Sequence, residues 1–325
     1  KILLFIFIVC SLYCCIVCAD LPPPPQSSSG FISAILKLVQ ESKQKEYLDV
    51  LTSQHTRNAY CPKDGTLAAS EYIFSKLTKQ FGLNNTVRFA FEMPDVEKPA
   101  PVVYTDIVLP GVANEKQMVV LGAHYDDRAK DIKSCEERAP GANDDCSGTV
   151  ALLEIARILG QLVDEQFTSL TARYGLRLAW FDGEEQGLYG SRALAQTMFD
   201  DDYHVVAMIQ SDMIAYRAPG ESPASALSTL FSTKALADYV RDVGALYLPS
   251  LPINSTNACC SDQQSFFTHG WPAVAINEIG GYTIDPDYHR SSDTTSREGF
   301  NFQQLKEITK LVLSSALSLI DFSLK

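Results

Sequence analysis

Positive charge is scarce in this sequence, and it is not concentrated anywhere. The 325 residues contain 27 lysines and arginines against 39 aspartates and glutamates, for a formal net charge of −12. Because no basic run is present, the chain lacks the electrostatic signature that attracts a nucleic-acid backbone. Internal repeats are absent as well, and the prolines at 22–25 form the sole low-complexity tract. These absences exclude a nucleic-acid partner and favour a single ordinary domain.

Cysteine is infrequent outside the first 19 residues. Nine cysteines occur in the chain, but four of them lie in this opening segment. The remaining five form no pair of Cys-x-x-Cys motifs, which argues against a zinc site built from thiolates. Because five is an odd number, at least one thiol stays unpaired even if disulfides form. The five are Cys61, Cys135, Cys146, Cys259 and Cys260.

Residues 1–19 are almost wholly apolar after a single lysine and end in Val17-Cys18-Ala19. This ending fits cleavage before Asp20, so we predict a signal peptide over 1–19 and a Pro/Ser-rich linker over 20–30. A membrane anchor is the alternative, because the run approaches the ~20 residues that span a bilayer. We expect a protein that is secreted or lies in the lumen of an endolysosomal compartment, without stable membrane association after cleavage. The sequons at Asn84 and Asn254 fit a glycoprotein.

Residues 31–325 form the predicted domain. The whole chain is 46% hydrophobic and 20% charged, which is an ordinary globular composition. Short apolar runs that suit buried strands alternate with segments of helical periodicity. This alternation predicts one α/β domain whose mixed, mainly parallel sheet carries helices on both faces. Predicted helices cover 31 to about 51, 66–81, 149–162, 191–199, 233–246 and 302–320, and predicted strands cover 87–92, 102–109, 118–123, 174–181, 205–209 and 273–276.

Polar side chains follow several of the predicted strands. Carboxyl ends of parallel strands are where an open α/β sheet gathers its ligands. Several carboxylates buried together would repel one another unless cations balance them. A pair of divalent metal ions solves this problem, and imidazole with carboxylate suits zinc. The side chains concerned are His124, Asp126, Asp144, Glu184, Glu185, Asp212 and His289.

Six short motifs carry these residues in order. They read AHYDD, PGANDDCSG, FDGEEQGLYGS, QSDMIAY, ACCSDQQSF and YHRSSDT. Together they resemble the secreted zinc aminopeptidases of metallopeptidase family twenty-eight, over roughly Val102 to Ile320. The GEE and HYD pieces also occur in related glutaminyl cyclases, so the combination carries the resemblance.

The resemblance implies two zinc ions per chain. His124 and Asp212 would hold one zinc, Glu185 and His289 the other, and Asp144 would bridge them. Each zinc then has three protein ligands and an open position, which is the arrangement of a catalytic site.

The resemblance also implies roles for residues that bind no metal. Asp126 would orient His124 through its far ring nitrogen. Glu184 would serve as general base and then as general acid. Tyr288 would donate to the carbonyl oxygen of the scissile bond, although a packing role fits it equally well. Four apolar residues near the motifs are candidates for the substrate pocket, and each also suits the core: Met213, Phe266, Phe267 and Tyr282.

The chain departs from the family pattern at Cys259 and Cys260. Family members often have a short disulfide here between cysteines a few residues apart, whereas these two are adjacent. A bridge between neighbours is strained, so we expect the two not to pair with each other. We expect a bridge between Cys61 and Cys135, because both lie in loops around the site.

The leading hypothesis is an aminopeptidase that acts on peptides with a free amino terminus. A glutaminyl cyclase with one zinc is the alternative from another reaction class, and a carboxypeptidase or dipeptidase is a third. Tyr288-His289 within YHRSSDT favours the peptidase. A carboxypeptidase needs a cation for the terminal carboxylate, and Arg290 is the sole arginine that we place inside a ligand motif. A binding ectodomain without metals is disfavoured because all expected ligands are present.

Overall fold

The computed structural model describes residues 21–278 and 285–325, so the predicted signal peptide and Tyr282 lie outside the described residues. The helices are α1 (Gly30–Leu36), α2 (Glu41–Leu51), α3 (Thr66–Phe81), α4 (Cys146–Gln166), α5 (Tyr189–Asp200), α6 (Lys234–Tyr247), α7 (Gln263–Phe267) and α8 (Phe302–Leu319). The strands are β1 (Thr86–Phe89), β2 (Val102–Ile107), β3 (Gln117–His124), β4 (Leu170–Thr171), β5 (Gly175–Phe181), β6 (His204–Ser211), β7 (Ser225–Ser228), β8 (Ile253–Thr256), β9 (Ala273–Asn277) and β10 (Ser323–Leu324).

Eight strands form the central sheet in the order β1-β2-β5-β3-β6-β9-β7-β8. The pairs β5–β3, β3–β6, β6–β9 and β7–β8 are parallel, whereas β1–β2, β2–β5 and β9–β7 are antiparallel. The prediction of a mixed, mainly parallel sheet is therefore confirmed. Strands β4 and β10 form a separate two-stranded sheet.

Helices cover both faces of the sheet because its inner strands are apolar on both sides. Along β3, Val119 and Leu121 belong to the larger core, which α1 to α4, α6 and α8 complete. Val120 points the other way, into a smaller core closed by α5 and α7. This alternation is the period of two that a strand imposes on its side chains. Helices on both faces were predicted, and the structure confirms them.

Helix α4 runs through the middle of the larger core. Among the described residues it is the one helix long and apolar enough to cross a membrane, and 83% of its apolar stretch is buried inside the fold. Its composition is thus accounted for by packing between the sheet and the helices around it.

Two differences from the predicted elements concern local hydrogen bonding. The prediction of one helix from 31 to about 51 is wrong, because the chain turns between α1 and α2. At this turn the backbone N–H of Gln40 donates to the buried Glu154 carboxylate at 2.7 Å. Strands β7 and β8 and helix α7 were not predicted. They are four or five residues long, too short for a periodic pattern to stand out.

The order of the strands determines where a site forms. From β3 the chain passes through α4 to β5 on one side, and later adds β6 on the other side of β3. The connections that leave β3 and β6 therefore run in opposite directions, which opens a crevice between the carboxyl ends of these two strands. The loops that follow β3, β5 and β6 all begin at this crevice.

Candidate metal centre

Five segments bring the predicted site residues to the crevice. His124 is the last residue of β3, and Asp212 follows the end of β6. The turn after β5 supplies two glutamates, the loop before α4 supplies an aspartate, and the segment before α8 supplies a histidine. These four side chains are Glu184, Glu185, Asp144 and His289.

The side chains form two clusters, each with one imidazole. In the first, His124 Nε2 lies 3.4 Å from Asp144 Oδ1, 3.8 Å from Asp212 Oδ1 and 4.0 Å from Glu184 Oε2. In the second, His289 Nε2 lies 3.1 Å from Asp144 Oδ2 and 3.0 Å from Glu185 Oε2. The two oxygens of Asp144 thus face different histidines, which is the arrangement expected of a carboxylate that bridges two cations.

Several atoms in the clusters are buried without a hydrogen-bond partner in the described part of the chain. Leaving a buried carboxylate oxygen unsatisfied costs ~1–3 kcal/mol or more. A divalent cation would satisfy such oxygens and neutralise their charge at the same time. The donor set, imidazole nitrogen with carboxylate oxygen, suits zinc. The atoms are Asp144 Oδ2, Glu185 Oε1, Asp212 Oδ1 and His289 Nε2.

The pKa values show how much negative charge the site concentrates. Burial, reinforced by the negative charge of Glu185, raises the pKa of the Glu184 carboxyl well above its ordinary value. Burial and then the charge of Asp144 raise the pKa of Glu185 to about 7. Asp144 is different: burial opposes its ionisation, but the nearby imidazoles of His124 and His289 lower its pKa overall. Protons must therefore balance this cluster when no other cation does.

Asp126 connects the end of β3 with the turn after β5. Its carboxylate accepts hydrogen bonds from the backbone amides of Glu184 and Glu185, each at 3.2 Å. The same carboxylate lies 3.4 Å from His124 Nδ1, and the Asp126 carbonyl oxygen lies 3.2 Å from that nitrogen. The turn after β5 and the His124 ring are thus held by one buried side chain.

Asp145 is a structural residue that the sequence reasoning did not assign. Its buried carboxylate accepts from the backbone amides of His124 at 3.2 Å, Gly148 at 2.9 Å and Met213 at 3.2 Å. These amides belong to β3, α4 and the segment after β6, so Asp145 joins three of the ligand-bearing segments. Its position next to Asp144 in PGANDDCSG indicates that Asp145 lies near the site. The position does not indicate which backbone amides its carboxylate binds.

Asp293 and Arg297 support Asp144 from the opposite side. Asp293 accepts from the backbone amides of Asn143 and Asp144 at 3.0–3.1 Å. Arg297 donates to Asp293 at 3.1 Å and also pairs with the buried Asp285. The loop that carries Asp144 is therefore anchored to the segment that carries His289. Asp293 stands in the YHRSSDT motif, but no role was predicted for it.

The clusters open into a cavity of about 530 Å³. Apart from the clustered residues and Gly187, its walls consist of Arg128, Leu188, Arg192, Cys259, Cys260, Gln264 and Tyr288. The Tyr288 ring stacks on His289 with ring centroids 3.5 Å apart. Burial, followed by the charge of Asp144, raises the pKa of the Tyr288 hydroxyl, so it remains a proton donor.

Comparison with known proteins agrees with this geometry. Residues 107–316 match the model of peptidase family M28. The chain belongs to peptidase family M28. A leucine aminopeptidase 1 of Phaeosphaeria nodorum is 28% identical over 304 residues, which cover 91% of this chain and 75% of the relative. The prediction that this chain is a hydrolase of the metalloaminopeptidase family is thereby confirmed.

Solved structures share the fold of this M28 peptidase. The LapA aminopeptidase of Legionella pneumophila superimposes with a TM-score of 0.79 at 24% identity, covering 94% of this chain and 78% of that one. A glutaminyl cyclase of Bacteroides thetaiotaomicron gives a TM-score of 0.67 at 18% identity, covering 86% of this chain and 97% of that one. At these identities the likeness establishes the fold alone, and the fold is common to a peptidase and a cyclase.

Three of the predicted pocket residues do not line the cavity of this M28 peptidase. Phe266 is fully buried in the smaller core, with its ring centroid 6.2 Å from that of Phe181. Met213 is 2% exposed, and Phe267 lies edge-on to Phe231 outside the cavity. None of the three contributes to the cavity wall, because Phe266 and Met213 are packed in the interior and Phe267 is exposed on the surface beside Phe231.

The disulfides are partly as expected. Cys61 pairs with Cys135, as predicted, and Cys146 is free and buried. The expectation for Cys259 and Cys260 is wrong, because the structure pairs them with Cα atoms 3.6 Å apart. Cys260 takes a positive φ of 80°, a backbone conformation uncommon for a residue with a side chain. This local turn brings both sulfur atoms to one side, where they form part of the cavity wall.

Proposed function

We propose that this M28 peptidase removes the amino-terminal residue of peptides, and that it would use two zinc ions to whose sites Asp144 would contribute one oxygen each. The observation that carries the proposal is the division of the Asp144 oxygens between His124 and His289, at 3.4 and 3.1 Å. His124 and Asp212 would hold one ion, and Glu185 and His289 the other. The unsatisfied buried atoms of these residues fit metal coordination.

Zinc supplies Lewis acidity toward the scissile carbonyl and a lowered pKa for water in the site. The proton transfers belong to Glu184, which lies in the cavity wall beside the first cluster. Glu184 accepts a proton from the attacking water and delivers it to the leaving nitrogen. Asp126 orients this step because it holds the Glu184 backbone amide and the His124 ring. Tyr288 is positioned in the same wall to donate to the oxygen on which negative charge develops.

The charge of the cavity favours recognition of a free amino terminus. Carboxylates of Asp212 and Glu184 face the cavity and can accept charge-assisted hydrogen bonds from a substrate ammonium group. Acetylation removes that charge and adds an acyl group in the same place. We expect leucyl-alanine amide to be hydrolysed and its N-acetyl derivative to be resistant, which chromatography of the products measures. Equal hydrolysis of both would contradict an aminopeptidase.

A glutaminyl cyclase remains the competing function, because a cyclase shares the fold. Incubation of a peptide with an amino-terminal glutamine distinguishes the two reactions. The aminopeptidase releases free glutamine, whereas the cyclase leaves a peptide that has lost ammonia and gained no water. Formation of the cyclised peptide by a one-zinc protein would replace our proposal.

We also propose that the protein is secreted and glycosylated. The Cys61–Cys135 bridge fits an oxidising compartment. Both sequon asparagines, Asn84 and Asn254, have exposed side chains that an oligosaccharide could occupy. Treatment of the protein secreted by eukaryotic cells with an endoglycosidase should lower its apparent mass, and an unchanged mass would exclude glycans at these asparagines.

A further inference from the structure

Two arginines lie in the wall of the cavity, and their surroundings differ. Arg128 Nε donates to Glu185 Oε2 at 2.9 Å, so its charge is already paired inside the site. Arg192 lines the same cavity. Its guanidinium makes no ion pair and no hydrogen bond with any residue in 21–278 or 285–325. Arg192 is thus a cation of the cavity wall that the fold leaves available.

The sequence around Arg192 explains why its guanidinium has no partner among the described residues. It lies in the first turn of α5, where no acidic residue is present. Partners on a helix stand three or four positions away, and none of the residues from Leu188 to Gln196 is acidic. Elsewhere in the molecule such partners exist, as for Arg157 with Glu154 and Arg241 with Asp238. The positive charge of Arg192 is therefore not neutralised by neighbours on its own helix.

The charge balance of the loaded cavity also points to an anionic ligand group. Four carboxylates face the cavity, and two divalent ions would neutralise them. Because Arg128 is paired with Glu185, the positive charge of Arg192 then remains next to the bound substrate. The amide of Gln264 lies in the same wall and can donate a further hydrogen bond. A guanidinium matches a carboxylate in charge and in planar geometry.

We propose that Arg192 is a specificity residue that binds a carboxylate of the substrate on the leaving-group side of the scissile bond. That carboxylate is either the terminal group of a short peptide or the side chain of an acidic second residue. The proposal rests on the aminopeptidase function, since it places the amino terminus at the two clusters and the rest of the peptide along the wall formed by Leu188 and Arg192.

Four dipeptide substrates separate the two sources of the carboxylate. Leucyl-alanine and its amide differ in the terminal group. The α-amide of leucyl-aspartic acid, whose side-chain carboxylate is free, and leucyl-asparagine amide differ in the side chain. In one of these pairs, we expect the wild-type KM for the dipeptide with the carboxylate to be ~10-fold lower than the KM for its neutral counterpart, because the carboxylate gains a charge-assisted hydrogen bond. Arg192→Gln should remove this ratio while leaving kcat/KM on the neutral amides within about twofold. Arg192→Lys should retain part of it.

Arg138→Gln is the matched control, because Arg138 is also exposed, lies outside the cavity and contributes the same charge to the protein. It should leave both KM ratios unchanged. Equal KM values within both pairs for the wild type, or ratios that survive in Arg192→Gln, would overturn the proposal. So would an equal loss on all four substrates.

Equilibrium binding keeps this test separate from the proposed reaction. Calorimetry on zinc-loaded Glu184→Gln protein, with and without Arg192→Gln, measures the affinity for each dipeptide without turnover. A preference for the carboxylate-bearing dipeptide that is lost in Arg192→Gln supports the inference. If wild-type protein nevertheless hydrolyses none of the four dipeptides, the proposed aminopeptidase function fails but the inference stands. No preference in the Glu184→Gln protein contradicts the inference.

Discussion

Substitution of the two adjacent glutamates tests the division of labour in the site. Glu184→Gln keeps the shape of the side chain and the backbone hydrogen bond to Asp126, which the amide of residue 184 makes. It removes the oxygen that would carry the proton. Burial and the neighbouring carboxylates already raise the pKa of Glu184, so loss of its charge should not destabilise the fold. The substitution therefore isolates catalysis from structure.

The expected loss in Glu184→Gln is in turnover. General-base removal costs ~10²–10⁴-fold in kcat, which corresponds to ~3–5 kcal/mol of transition-state free energy. Glu185→Gln should behave differently, because Glu185 Oε2 lies 3.0 Å from His289 Nε2 and an amide is a weaker metal ligand than a carboxylate. We expect that variant to lose one zinc as well as activity.

Steady-state hydrolysis of leucyl-alanine amide and metal analysis of the same samples give both quantities. Glu184→Gln should contain as much zinc as the wild type, and Glu185→Gln less. Near-normal turnover in Glu184→Gln would refute its assignment as the base. If Glu184→Gln loses zinc instead, Glu184 is a ligand, which its place in a cluster with His124 and Asp212 would permit.

Three further predictions concern the metal, the backbone and the bridges. Purified protein should contain two zinc ions per chain by mass spectrometry, and a fully active protein with one ion would remove Asp144 from its bridging role. Gly148→Ala should lower the free energy of unfolding by ~1–3 kcal/mol, because a Cβ there would lie 2.2 Å from the Ser211 carbonyl oxygen. In the control Gly30→Ala, the added Cβ meets nothing within 4 Å, so this variant should be near neutral. Thermal denaturation measures both. Peptide mapping without reduction should find the Cys61–Cys135 and Cys259–Cys260 bridges and a free Cys146, and any bridge to Cys146 would contradict its burial.

Long periodic segments and motif-bearing strand ends could be predicted from the sequence. Helix α3 was predicted with the bounds that the structure has, Thr66–Phe81, because its apolar period is regular and Gly82 stops it. The meeting of polar side chains at the ends of β3, β5 and β6 could be anticipated because parallel strands present their carboxyl ends at one edge. Both kinds of inference use information that is local in the chain.

Short elements and long-range contacts could not be predicted in the same way. The break between α1 and α2 depends on Glu154, which is 114 residues away from Gln40. Phe266 and Met213 have the same apolar character as residues that line pockets, and only packing against the smaller core and the sheet decides that they are buried. Periodicity carries no information about which distant surface covers a side chain.

The family, the α/β class and the set of chemical groups at the crevice could all be predicted from the chain alone, because they follow from residue type, order and spacing. Three facts came from the folded structure alone: which oxygen of Asp144 faces which histidine, that Asp145 and Asp293 hold the loops of the site by accepting hydrogen bonds from backbone amides, and that Arg192 has no partner within 21–278 and 285–325. These facts depend on distances between groups far apart in the chain, and folding sets those distances through the packing of the whole domain.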